Sequence, residues 1–248
     1  MKKLIAVIPA AGRGSRLGLD TPKALIKPND KTTLLEIMYT KALPVVDQLI
    51  FVVNPSMPTH KNWPNLVDAE IVIQKEPTGM GDAIFCAAEF IKSTSVLLVI
   101  WADQYGISTN TIERAVYEHQ FTGNTGKKIT IPLINVKRPY VEYVFTANKI
   151  DSIRQSREGE ATSESGLTDV GLFILDAGNE LVESWYSYVK ESKPGEKTNE
   201  RNFLPFLTWL IGIGWTLNVV EAIPEDRLGI NTLNDFEIAK EILKNEDQ

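Results

Sequence analysis

Residues 10–23 read Ala-Ala-Gly-Arg-Gly-Ser-Arg-Leu-Gly-Leu-Asp-Thr-Pro-Lys, placing a Gly-x-Gly pair, two arginines and a lysine directly after the apolar run Leu4 to Ile8. That composition suits a polyphosphate. Glycine lets the backbone turn tightly and approach a ligand, so the N–H groups at Gly12 and Gly14 can face phosphate oxygens, while Arg13, Arg16 and Lys23 offer charge. Taken alone, Gly12-x-Gly14 is a tight turn between a strand and a helix; the basic residues around it favour the phosphate reading. A dinucleotide-binding turn requires G-x-G-x-x-G and an acidic residue about twenty positions on, but position 17 is Leu and the second apolar run, Leu49 to Val53, ends at Asn54. No G-x-x-x-x-G-K-[ST] string occurs, which removes the P-loop.

Two further constellations carry chemistry. In Trp101-Ala102-Asp103 a carboxylate follows the buried-strand pattern of Ser95 to Ile100. At the exit of a central parallel strand it stands where ligands bind and can coordinate Mg²⁺ through oxygen. The segment Gln74 to Ala83 carries a strand end through Gly79-Met80-Gly81 into a helix. On its own it reads as a left-handed turn with a helix start at Gly81-Asp82.

The elements that position these residues follow from periodicity. Apolar β-rich runs recur at Leu4 to Ile8, Leu49 to Val53, Ala69 to Ile73, Val96 to Ile100, Ile129 to Ile134 and Thr216 to Val220. Helical patterns lie at Leu34 to Ala42 after the threonines at 32 and 33, at Gly81 to Lys92, at Thr109 to His119 after Ser108, and at Leu233 to Leu243. This alternation predicts an α/β fold of three layers, a mostly parallel sheet with helices on both faces and ligands past the carboxyl ends of its strands. The stretches Gln155 to Thr168 and Lys190 to Arg201 read as mobile, polar loops, either solvated or covering a ligand pocket.

At 248 residues, with 43% hydrophobic content, the chain suits one domain, 1–248, with a substantial core. A single cysteine, Cys86, permits no internal disulfide, and two histidines leave no His/Cys zinc site. No run approaches the ~18 apolar residues of a membrane span, so a cytoplasmic location is the simplest expectation. The net charge of −6 and the lack of a basic stripe argue against nonspecific nucleic-acid binding.

The string from Gly12 to Lys23 resembles the signature of the sugar-1-phosphate nucleotidyltransferases, or nucleotide-sugar pyrophosphorylases: G-x-G-[ST]-R-[LM], a short spacer, then P-K. The resemblance implies a Rossmann-like sheet of the nucleotide-diphospho-sugar transferase type. The loop from Ala10, Ala11 and Gly12 through Arg13, Gly14 and Ser15 would wrap the triphosphate, with Arg16 and Lys23 acting in catalysis. Gln74, Gly79 and Met80 match the base-recognition segment, Gln74 pairing with the base and the backbone at Gly79 approaching it. Asp103 matches the family's metal-binding aspartate, and Asn231, in Gly229-Ile230-Asn231, its second ligand, implying Mg²⁺. A sugar-site subregion spans about 130–230, where Trp101, Arg157, Glu158, Asp169 and Gly171 would meet the acceptor. Arg157 would take the phosphate, Glu158 a hydroxyl, and Gly171 would let the sugar lie against backbone. The chain has Asp169 where many members have Asn, and it lacks the Glu-Lys pair of relatives near Ile150 to Glu160.

The implied reaction transfers a nucleoside monophosphate from a triphosphate, with UTP or dTTP favoured, to a sugar 1-phosphate for nucleotide-sugar and cell-surface polysaccharide synthesis. Relatives range from monomers to tetramers. Three alternatives stand beside it. A cytidylyltransferase acting on phosphocholine would need an aromatic cage, for which Trp101, Trp185, Tyr140 and Tyr143 are the candidates. A non-catalytic nucleotide sensor would not need Arg16, Lys23, Asp103 and Asn231 together. A Rossmann oxidoreductase is disfavoured by glycine spacing. Some uridylyltransferases of this type continue into a hexapeptide-repeat acetyltransferase; no such repeat is present here, so fused acyl transfer is not expected.

Overall fold

The computed structural model describes residues 3–12, 14, 18, 21–57, 66, 68–121, 126–147 and 149–246. The chain enters through β1 (Leu4–Pro9), which is buried along nearly its whole length. Ile5 and Val7 point into one apolar layer, whereas Leu4, Ala6 and Ile8 point into another. A strand covered on both faces cannot alternate apolar with polar residues, which is why it reads as an unbroken apolar run. The same logic makes β2 (Gln48–Val53) and β4 (Val96–Ile100) legible; all but Gln48 of these eleven positions are buried.

Between β1 and β2 lies α1 (Leu34–Ala42), started by a reciprocal cap. Thr33 Oγ1 accepts the Glu36 N–H at 3.2 Å and Glu36 Oε2 accepts the Thr33 N–H at 2.8 Å. After β3 (Ala69–Ile73), the expected helix from Gly81 to Lys92 is two helices, α2 (Met80–Phe85) and α3 (Ala88–Lys92). They part at Cys86-Ala87, where Cys86 and Ala87 N–H groups bond three residues back to Ala83 and Ile84 and tighten the turn. Helix α4 (Thr109–Phe121) begins at Ser108, whose Oγ accepts the Thr111 N–H at 3.1 Å.

The second half is built from β5 (Lys128–Lys137), β6 (Val141–Thr146), β7 (Lys149–Gln155), β8 (Ser165–Asp169) and β9 (Leu172–Asp176). Helices α5 (Asn179–Glu191) and α6 (Leu204–Gly212), then β10 (Thr216–Glu221) and α7 (Leu233–Glu246), complete it. One sheet runs β3-β2-β1-β4-β9-β5-β8-β6-β7, with β10 beside β5. Its first four strands are parallel, as is the β5–β10 pair, while β9 lies antiparallel to both β4 and β5. The sheet is therefore mixed, with the parallel half carrying the glycine loop. β8 pairs with Leu133–Lys137 and β9 with Ile129 and Thr130, so the chain steps along β5 at Val170-Gly171 and slides in beside β4.

Helices α2, α3, α5 and α6 cover one face, and α1 and α4 the other. On the first face an aromatic stack locks α2 to α5 and α6: Phe85 lies flat on Trp185 at 4.7 Å, and Phe206 meets both edge-on. Each such contact adds about 1 kcal/mol to the burial of its rings. Gln155 to Thr168, read from sequence as a mobile loop, holds a 3-10 turn at Ser156–Glu158 and most of β8. Among the described residues no helix is long and apolar enough to cross a membrane.

Candidate active site

The glycine loop leaves β1 at its carboxyl end. The Ala10 N–H bonds to the Val52 carbonyl at 2.7 Å and the Asn54 amide donates to the Ala11 carbonyl at 3.1 Å, so β2 fixes the loop's first residues. Gly14 has φ +68°, and a Cβ there would lie 2.9 Å from the Lys23 Cβ. Gly14 thus lies against Lys23. Arg13, Ser15 and Arg16, assigned from sequence to the triphosphate and to catalysis, lie outside the described residues.

Lys23 opens a 3-10 turn at Lys23–Leu25 and reaches across the cleft. Its ammonium donates to Asp103 Oδ2 and, at 3.1 Å, to Asn231 Oδ1. These residues are 80 and 208 positions away from Lys23. Asp103 stands past the end of β4, and its carbonyl accepts the Ile230 N–H at 3.0 Å, which seats the Gly229-Ile230-Asn231 segment beside it. The turn that precedes it is tied to the start of α4 by Asp226, a fully buried carboxylate that accepts from Thr111 Oγ1 at 2.8 Å, Ile223 N–H at 2.9 Å and Ser108 N–H at 3.1 Å. Saturating hydrogen bonds are what make such burial tolerable.

On the opposite wall, Gln74 is buried after β3 and spends its amide N–H on the Gly79 carbonyl at 3.0 Å. Gly79 has φ +127°. Its close approach is made to the protein itself: Arg201 N–H bonds to Thr78 O at 2.7 Å and Gly81 N–H to Arg201 O at 2.8 Å, and a Cβ on Gly79 would sit 2.5 Å from the Arg201 nitrogen. The segment Lys190 to Arg201, read from sequence as a mobile loop, is therefore partly docked as a wall of the site. Gly171 also differs from expectation. With φ +73°, it makes room for Trp101 and Gln104, whose side-chain carbons would stand 2.7 and 2.5 Å from a Cβ there. Trp101 is held by that fit, by its N–H to the Gly171 carbonyl at 2.9 Å, and by Phe173 and Phe203.

Two adjoining cavities result. One, of about 390 Å³, is floored by Ala10, Ala11, Gly12 and Gly14 and walled by Gln74 and Gly79. The other, of about 370 Å³, is lined by Tyr140, Gln155, Asp169, Asn202 and Arg227. Met80, Trp101, Asp103, Arg157 and Asn231 border both. Arg157 lies 3.7 Å from both Glu158 and Glu200, and its Nε is buried with no hydrogen-bond partner. Glu158 lines neither cavity among the residues described. Its carboxylate accepts from Thr198 Oγ1 at 2.7 Å, Asn202 Nδ2 at 3.0 Å and Lys197 N–H at 3.1 Å. Burial pushes this carboxyl up, but those hydrogen bonds outweigh it and hold it below the ordinary range. The position assigned to a sugar hydroxyl thus tethers the 195–202 loop.

Of the four aromatics proposed for a cage, Trp101 and Tyr140 line the second cavity. Trp185 sits in the core on Phe85, and Tyr143 is buried beside Asp169, its hydroxyl short of hydrogen-bond geometry. Gln155, Asn202 and Arg227 were not singled out as acceptor-site residues from sequence. Only Arg227 had a local signal, standing two residues before Gly229-Ile230-Asn231.

Asp169 carries a testable charge. Burial pushes its carboxyl from the ordinary 3.8 up to about 6, offset in part by the Gly171 N–H at 2.8 Å. The folded state then binds more protons than the unfolded chain between about pH 4 and 6, so stability falls as pH rises through that window and stays lowered above it. Asp169→Asn keeps an oxygen for Gly171 and removes the cost. Thermal unfolding at pH 7.5 should favour the variant by about 1 kcal/mol, below the full shift because one side of the carboxyl borders an open cavity. The two proteins should converge near pH 4; an offset of equal size at both pH values would contradict the assignment.

The chemistry of the Asp103–Asn231 pair suits a hard divalent cation. A carboxylate and an amide oxygen already converge on one cationic group, and Mg²⁺ takes few protein ligands when substrate phosphates supply the rest. Among the described residues no group of three or more His, Cys, Asp or Glu stands together as a self-sufficient metal cage.

A glycine loop at the carboxyl end of a parallel strand, a lysine on a carboxylate, and paired cavities thus meet on a mixed sheet flanked by helices. Residues 6–169 match the MobA-like NTP transferase domain, and the chain belongs to that family. Among curated proteins it is 26% identical over 246 residues to the bifunctional protein GlmU of Clostridium beijerinckii, covering 97% of this chain and 52% of that one. It is 30% identical over 138 residues to the GlmU protein of Buchnera aphidicola subsp. Schizaphis graminum, covering 56% and 29%. The chain spans about half the length, or less, of the curated relatives it matches. Two solved structures share the fold. One is UDP-glucose pyrophosphorylase complexed with UDP-glucose, with TM-score 0.73, 17% identity and coverage of 99% and 100%. The other, from Bacillus anthracis and provisionally named a glucose-1-phosphate thymidylyltransferase, is a complex with sucrose, with TM-score 0.70, 18% identity and coverage of 98% and 96%.

Proposed function

We propose that this chain transfers a nucleoside monophosphate from a nucleoside triphosphate to a sugar 1-phosphate, releasing pyrophosphate and a nucleotide-sugar. The observation that carries the reading is the Lys23–Asp103–Asn231 junction on the border between two cavities of similar size. The first cavity suits the triphosphate and base, with loop N–H groups for phosphate and Gln74 in its wall. The second, drawing on residues between 136 and 204 and on Arg227, suits the acceptor. The names of the relatives favour a sugar phosphate acceptor and a uridine or thymidine donor.

An oxygen of the acceptor phosphate attacks the α-phosphorus, a new P–O bond forms, and the bond to the β-phosphate oxygen breaks. A phosphate monoester is ionised near neutral pH, so no general base is needed. Catalysis reduces to bringing two anions in line and neutralising charge as it develops. Lys23 would hold the α-phosphate, Arg16 would stabilise the departing pyrophosphate, and Arg157 would orient the acceptor phosphate. Asp103 and Asn231 would hold Mg²⁺, which neutralises phosphate charge. A cytoplasmic location, where nucleoside triphosphates are at hand, goes with this reading. Phosphocholine fits less well, because Arg157 and Arg227 border the second cavity and Trp185 is committed to the core.

The test is pyrophosphate release with Mg²⁺ across four ribonucleoside triphosphates and dTTP, each paired with a panel of sugar 1-phosphates and phosphocholine. Turnover is expected with a sugar 1-phosphate. Arg157→Ala and Arg227→Ala should each raise the acceptor KM on the order of tenfold, the cost of losing a hydrogen bond to a charged group, with the triphosphate KM little changed. Turnover with phosphocholine alone would reverse the acceptor assignment, and triphosphate binding without turnover across a complete panel would favour a sensor.

A further inference from the structure

The position of the Lys23 ammonium carries a consequence for metal binding. It donates to Asp103 Oδ2 and Asn231 Oδ1, the same two oxygens assigned above to a divalent cation. The Lys23 and Asp103 side chains are only 19% and 21% exposed, so water screens the pair incompletely. A metal ion bound at about 2.1 Å to these oxygens and an ammonium within hydrogen-bond reach of both would be two cations in nearly one place.

We propose that Lys23 is the resident counter-ion of the metal site: its ammonium and a divalent cation compete for Asp103 and Asn231. A triphosphate relieves the competition by offering the ammonium other anionic oxygens. The proposal rests on the metal-site reading given above. The surroundings permit the exchange. Lys23 borders the cavity that holds the glycine loop, and its stem is gripped near the backbone, where Gly14 packs against its Cβ. The end of the side chain can therefore swing while its root stays in place. Unlike an ordinary structural ion pair, this lysine sets the affinity of the site for bare metal, and its loss strengthens metal binding while harming catalysis.

The experiment measures Mn²⁺ alone, by the free-ion electron paramagnetic resonance signal, on the full chain without nucleotide. Wild type, Lys23→Met, Lys23→Ala, Asp103→Ala and the double variant Lys23→Met/Asp103→Ala are compared, with thermal unfolding confirming that each is folded. Both Lys23 variants are expected to bind Mn²⁺ on the order of tenfold more tightly than wild type, and the double variant should lose that gain. Two Lys23 substitutions of different size separate the loss of charge from a local packing change. If both bind Mn²⁺ as wild type does while Asp103→Ala weakens binding, the competition is disproved and the metal site stands. If Asp103→Ala changes nothing in either background, the metal-site reading itself fails.

Discussion

Asp103→Ala should reduce turnover roughly 10³-fold, at the upper end of what deleting one preorganised electrostatic group costs. Among the described residues that border both cavities it is the one carboxylate, and its partners are Lys23 and, across that ammonium, Asn231. On the proposed reading, truncation removes the negative charge around which Lys23 and a divalent cation would be organised. The fold should survive, because the bond that seats Ile230 is made by the Asp103 backbone carbonyl. The diagnostic result is therefore a folded protein, within a few degrees of wild type in Tm, whose kcat collapses even at saturating Mg²⁺. Retention of more than a tenth of wild-type turnover would remove Asp103 from the chemistry.

Gly79→Ala has the largest expected effect on structure. Its φ of +127° is a conformation that L side chains rarely adopt, and a Cβ would stand 2.5 and 2.7 Å from the Arg201 nitrogen and oxygen. Backbone cannot step aside as a side-chain tip can. The turn must abandon either its conformation or its pairing with Arg201, at a cost of about 3 kcal/mol. Urea unfolding should register that loss, and the triphosphate KM should rise, because Gly79 and the Gln74 amide it engages both line the first cavity. Gly12→Ala is the matched control. Among the described residues, chain neighbours aside, no heavy atom lies within 4 Å of its would-be Cβ, so stability should change by less than about 0.5 kcal/mol. A Gly79 variant as stable as the Gly12 variant would show that the close contact with Arg201 is dispensable.

What could be read from sequence follows from how each element is buried. The strands β3 and β4 appear within the bounds their apolar runs predict, and β1, β2 and β10 within a residue. β6, β7 and β8 were invisible as runs because they are not buried along their length: β7 reads exposed, buried, exposed, β6 has two buried residues and β8 none. β5 continues three residues past its predicted end, where it leaves the core and alternates. Among site residues, motif strings led to Lys23, Asp103 and Asn231, which the fold brings to one point. Gln155, Asn202 and Arg227 carry no such string; they meet only because β7, the loop before α6 and the turn before α7 converge on one cavity. The glycines at 79 and 171 were read from sequence as places where base and sugar approach the backbone, but sequence cannot say whether another part of the chain also comes close there. At Gly79 it is Arg201 and at Gly171 it is Trp101 and Gln104.

The placement of β9 and β10 gives the molecule a history as well as a shape. β4 borders β9, which is separated from it in the chain by β5 to β8, and β5 borders β10, later still. A ribosome making the chain from its amino end delivers the glycine loop before Asp103, and Asp103 well before Asn231. The parallel strands β1 to β4 must therefore wait, with one edge unpaired, until Leu172–Asp176 emerges. Such exposed edges are where nascent chains aggregate or recruit chaperones. Asn231 can close on Lys23 and Asp103 only after that wait has ended, so the cleft is completed after the sheet, and a chain terminated before Asn231 is left without it.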